Sequence, residues 1–83
     1  MSNANTSYTP IDCSFYDYLE ENVTMGRISV IEYLEEGSAR ILETRILDLK
    51  SENHVEYMVL ENGLKIRLDH ILTFNGKPVP KSC

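Results

Sequence analysis

The 83-residue chain has no tryptophan, two cysteines, two histidines, three prolines and four glycines. Each scarcity narrows what the protein can be. Without tryptophan, the core has to be built from Ile, Leu, Val, Met and a few Phe and Tyr. No apolar stretch approaches the roughly 20 residues that cross a bilayer as a helix, so no membrane role is expected. The opening Met1-Ser-Asn-Ala-Asn-Thr-Ser7 lacks the charged start and apolar stretch of a secretory signal, and a cytoplasmic protein is the expectation.

Cys13 and Cys83 give neither metal-ligand spacing nor a disulfide framework. Reduced thiols are expected for both, since disulfides are rare in the cytosol. His54 and His70 fall on different predicted elements with no Cys or His cluster nearby, so no metal site is expected. The serines have no evident base or oxyanion setting, and the glycines form no phosphate-cradling loop. No catalytic residue, cofactor or enzyme activity is expected.

Positive charge is also scarce, but only in front. Residues 1–36 carry seven acids against one base, Arg27, whereas residues 37–83 carry six acids and seven bases. A front so poor in cations is unsuited to phosphate-backbone contact. Within it, Asp12, Asp17, Glu20 and Glu21 are interleaved with Phe15, Tyr16 and Tyr18. Such a segment suits a basic protein surface, although acids near a helix N-terminus are also common on plain solvated faces.

Residues 1–9 are small and polar and read as a disordered N-terminus. Residues 10–76 read as one domain and 77–83 as an extended tail. Pro10 precedes a helix predicted over 14–23, with Asp12 or Ser14 as N-cap and Gly26 near its end. Phe15, Leu19 and Val23, with Tyr18 beside them, make its apolar stripe. Tyr16, Asp17 and Glu20 fall on other faces.

Beyond Gly26 the period shortens towards 2. Strands are predicted over 27–35, 39–47, 54–61, 64–69 and 70–74. Residues 39–47 have ambiguous faces, which points to a bulge or a strong bend. Asp48 to Asn53 reads as a polar loop, and Asn62-Gly63 as a type I′ hairpin turn. A helix followed by consecutive short antiparallel strands gives a mainly β (α+β) fold, expected as a small, strongly bent barrel, with an open α+β sandwich as the alternative.

One opening motif is more specific than these patterns. Tyr8-x-Pro10-Ile11-Asp12-Cys13-x-x-Tyr16-Asp17-x-Leu19-Glu20 resembles the start of the Rho-binding antiterminators, the Rof family. Asp48-Leu49-x-Ser51, Val55-Glu56-Tyr57, Ile66-Arg67-Leu68-Asp69-His70-Ile71 and Thr73-Phe74 extend the likeness in order to about Gly76. The resemblance implies an N-terminal helix on a bent five- to six-stranded antiparallel Sm-like barrel. It implies binding to the N-terminal OB-fold domain of the termination factor Rho, blocking its primary RNA-binding site and so inhibiting termination.

Carried over by residue, Tyr16, Asp17 and Glu20 are the expected helix contacts, and Ser51, Glu52, Asn53 and His54 a second patch. The chain departs from the family pattern in a longer second-strand region, and in Glu52 and Asn53, where a more basic pair is usual. The alternative is an Sm-like RNA-binding module. The acidic front argues against it, and a monomer with no direct nucleic-acid partner is expected.

Overall fold

A computed structural model describes residues 8–81. It starts with helix α1, Cys13–Met25. Asp12 is the N-cap, its carboxylate accepting a hydrogen bond from the Phe15 amide at 3.1 Å. Gly26 ends the helix in the left-handed region at φ 64°, its N–H donating to the carbonyls of Asn22 and Val23. The helix is longer than predicted at both ends, because caps on both sides satisfy its terminal backbone groups.

The predicted apolar stripe faces the sheet. Leu19 is 1% exposed, and Phe15 and Val23 pack half-buried against the core. Phe15, Tyr18 and Phe74 meet edge to face, with ring centroids 5.5 to 6.3 Å apart. Burial of a ring such as Phe74 stabilises by about 1.5–3 kcal/mol. Asn22 also faces inward, and its side-chain amide donates to the Tyr18 carbonyl at 2.8 Å.

Strands β1 (Ile28–Glu35), β2 (Ser38–Glu52), β3 (Val55–Leu60), β4 (Lys65–Arg67), β5 (Ile71–Phe74) and β6 (Lys77–Pro78) form one antiparallel sheet, in the order β4-β3-β2-β1-β5-β6. Met58, Leu60, Ile66, Leu68, Ile71 and Phe74 are at most 5% exposed and fill the concave side with Ile31, Tyr33 and Ile46. Among the described residues, no helix is long and apolar enough to cross a membrane.

β2 departs most from expectation. Asp48 to Glu52 continues the strand instead of forming a polar loop, because β3 supplies partners as far as Glu52 opposite Val55. The first part of β2 pairs with β1 and the second with β3, and the register shifts between Ile46 and Asp48. This is the expected bulge, and it leaves Leu47 57% exposed. The bend explains the ambiguous faces, since one strand serves two walls.

The turns show a second difference. Glu36-Gly37, Asn53-His54 and Asn75-Gly76 join their strands with both central residues at positive φ, the I′ pattern. At Asn62-Gly63 only the glycine has positive φ. There the Gly63 amide donates to the Leu60 carbonyl and the Leu60 amide to Leu64, closing a three-residue loop with a bulge in place of the expected I′ turn.

The sheet stays open. β4 is followed at once by a 3₁₀ turn, Leu68–His70, which carries the chain across to β5 beside β1. Among the described residues β4 and β6 are unpaired edges, and the closure expected of a barrel is absent.

A Cβ at Gly26 would meet nothing within 4 Å, so only its backbone conformation resists substitution. Gly26→Ala is expected to cost about 1 kcal/mol, measured as a lower urea midpoint with an unchanged slope.

Candidate functional site

The bend of β2 swings the β2–β3 hairpin to the side of α1. The result is an open groove of about 450 Å³. Tyr16 and Asp17 line it from the helix, Ser51 and His54 from the hairpin, Glu56 from β3 and Tyr8 from the segment ahead of the helix. His54 is held at φ 66° by its turn, which aims the chain tip along the groove rim. Glu20 borders an adjoining depression of about 140 Å³ with Asp48. Four of the seven residues expected to act together therefore share one groove, and Glu20 lies next to it.

Glu52 and Asn53 do not line the groove. Neighbouring strand residues point to opposite faces, so Glu52 turns away from Ser51, and its carboxylate meets Lys65 Nζ at 2.8 Å. Asn53 sits at the hairpin tip at φ 52°. Tyr8 and Glu56 are among the lining residues that the sequence reading did not place in the site. The signal for Glu56 was its place on β3, where it shares a face with the buried Met58 and Leu60. An acid at that position needs a partner.

That partner is Tyr8, whose hydroxyl donates to Glu56 Oε1 at 3.0 Å. The Tyr8 segment is itself fixed by Asp69, which accepts from the Thr9 amide at 3.2 Å and takes the Arg67 guanidinium in a two-pronged contact of 3.0 and 2.8 Å. Burial pushes the Tyr8 hydroxyl well above its ordinary pKa, aided by the hydrogen bond to Glu56 and by the charges of Glu56 and Asp69. Burial also raises the pKa of Tyr16, with the charges of Glu56, Glu20 and Asp48 adding to it. Both phenols stay protonated donors in a field of carboxylates.

Among the described residues, no lysine or arginine lines this groove. Among the described residues, Arg40, Arg45, Lys65 and Arg67 are held by Glu35, Glu61, Glu52 and Asp69 elsewhere on the sheet. Cys13, also in the groove lining, is disulfide-bonded. This corrects the expectation of a reduced thiol there; Cys83 lies outside the described residues.

Two curated relatives named Protein rof, from Escherichia coli (strain K12) and Shigella flexneri, are each 35% identical to the chain over 74 residues, covering 86% of this chain and 84% of theirs. The chain belongs to the Rof family. No family model and no solved structure matches it. For this Rof-family chain, the opening motif that carried the resemblance therefore forms one wall of a cation-free, tyrosine-lined groove.

The Asp69 staple has a pH signature. Burial opposes its charge, but the hydrogen bonds from Arg67 and Thr9 and the charges of Arg67 and His70 outweigh it and hold the carboxyl below its ordinary 3.8. The stability it confers is full above that value and is lost as pH falls through the lower folded-state value. Asp69→Asn is expected to lower stability by about 2 kcal/mol at neutral pH. Urea unfolding repeated down to about pH 2 should show a shallower acid loss for the variant than for the parent.

Proposed function

We propose that this chain is a non-enzymatic, cytoplasmic inhibitor of Rho-dependent transcription termination. A monomer when free, it binds the N-terminal OB-fold domain of Rho and blocks the primary RNA-binding site. The carrying observation is the convergence of Tyr16 and Asp17 with Ser51 and His54 on a groove without lysine or arginine, with Glu20 alongside. Family membership supports the same reading. The bent, six-stranded sheet behind the helix is read as an opened Sm-like barrel.

The chemistry of the partner gives the mechanism. A site for single-stranded RNA offers cations for phosphates and aromatic faces for bases. Asp17 and Glu20 take the cations as phosphates would, while Tyr16 packs where a base or ribose would lie. Inhibition is then competitive with RNA. It weakens with salt, because exposed charges are screened over about 8 Å at physiological ionic strength.

A second reading, an Sm-like RNA-binding module, draws on one feature. A depression of about 500 Å³ between the β1–β2 hairpin and β4 gathers Tyr33, Tyr57, Lys65, Arg67 and His70, aromatics beside bases. Although it is the larger of the two hollows, its cations are already engaged: Lys65 contacts Glu52 and Arg67 contacts Asp69, each at 2.8 Å. RNA contact there would have to break those pairs, so the Rho reading is preferred.

Asp17→Lys and Glu20→Lys change exposed residues, so each is expected to keep the circular dichroism and thermal midpoint of the parent while abolishing Rho binding in a titration. Unchanged affinity in both variants would overturn the mechanism. Tight capture of single-stranded RNA by the isolated protein in a low-salt filter assay would favour the second reading instead.

A further inference from the structure

We propose that Glu56 is the recognition carboxylate of the groove and accepts an arginine guanidinium from the partner, with Tyr8 as the residue that positions it. The inference rests on the reading of the groove as the Rho-facing surface, and adds to it the chemistry of one contact.

Glu56 is half-buried on the inward-facing parity of β3, between the helix and the Tyr8 segment. A carboxylate drawn partly out of water gains from a charged or hydrogen-bonding partner. Among the described residues Glu56 forms no ion pair, and the Tyr8 phenol donates a hydrogen bond to it at 3.0 Å. That bond fixes the carboxylate without neutralising it.

Arg67 cannot be spared for Glu56, since its guanidinium is forked onto Asp69 while lying 5.9 Å from the Tyr8 ring centroid. The same Asp69 holds the Thr9 amide, so Tyr8 is stapled in place by a network outside the groove. Among the described residues, Glu56 thus lines a hollow of about 450 Å³ with no ion-pair partner of its own.

The walls select the kind of cation. Tyr8 and Tyr16 both border the hollow, and Asp17 stands at its rim. A guanidinium is planar, weakly hydrated and able to stack on a phenol while forking onto a carboxylate. A lysine ammonium is a strongly hydrated point charge and gains less from such walls. An arginine side chain entering past Asp17 would reach Glu56 between the two rings.

Two measurements on the full chain separate this inference from the reading beneath it. The first titrates the isotope-labelled protein with N-acetyl-arginine amide at low salt, with the lysine analogue as comparison. The amides around Glu56, Tyr8 and Tyr16 are expected to shift with the arginine probe and much less with the lysine probe. Glu56→Gln, which keeps an acceptor for the Tyr8 hydroxyl, is expected to remove the response. Tyr8→Phe, which keeps the ring, is expected to reduce it without a matching loss of thermal stability.

A response that is equal for both probes, or unaltered in Glu56→Gln, overturns the inference whatever Rho does. The second measurement titrates Rho. Glu56→Gln is expected to weaken binding at least tenfold, in keeping with the loss of one partner from a desolvated charge pair. If Rho binds the parent and Asp17→Lys abolishes binding while Glu56→Gln does not alter it, the surface stands and the role of Glu56 falls. If the parent does not bind Rho, the Rho reading fails, and the arginine titration still decides for or against Glu56.

Discussion

The bulge between Ile46 and Asp48 is the constraint on which the rest of the molecule depends. It bends a 15-residue strand so that one half pairs with β1 and the other with β3. A straight strand of that length would carry the Asn53-His54 tip away from the body. Bent, it closes the hydrophobic layer under α1 and brings the tip alongside the helix. The aromatic contacts of Phe15 and Tyr18 with Phe74 fix the other side of that relation, so helix and hairpin form two walls of a single groove.

Charge is sorted by the same architecture. Cross-strand and near-strand pairs engage Arg40, Arg45, Lys65 and Arg67 with acids of the sheet. The individual exposed pairs contribute little stability. Among the described residues, those pairs leave the lining of the groove without lysine or arginine, and Asp17, Glu20, Asp48 and Glu56 surround Tyr16 there. A negative field of this kind steers a basic partner by its long-range attraction and orients it on arrival.

Features with a local physical cause were legible in the sequence. The Asp12 cap, the Gly26 stop and the Phe15-Leu19-Val23 stripe need only one turn of helix to act, and the structure has each of them. The bend of β2 was legible as a conflict between its two faces. What was not legible depends on partners far along the chain. Asp48 to Glu52 looks like a loop by composition, yet β3 pulls it into a strand. Glu52 was grouped with Ser51 through the family resemblance, although the pleat and Lys65 send it the other way. Glu56 gains its place only through a hydrogen bond to a residue 48 positions earlier. The 3₁₀ turn at Leu68–His70, which lies between β4 and β5, left no periodic trace that separates it from the strand before it.

The end of the described chain returns to its start. The Asp12 amide donates to the Pro80 carbonyl at 2.9 Å, and Val79 is buried 8% exposed among the core residues. Because the strand after Asn75-Gly76 finishes beside the first helical turn, residues 12–80 close on themselves in space. A peptide linking Lys81 to Tyr8 would rejoin the described chain beside the Asp12–Pro80 hydrogen bond, so new termini could be opened at the Glu36-Gly37 tip, on a hairpin that does not border the groove. In such a permuted chain, affinity handles or fluorophores would sit clear of the groove. A handle attached at Tyr8 or Pro80 would instead sit next to the surface to be measured.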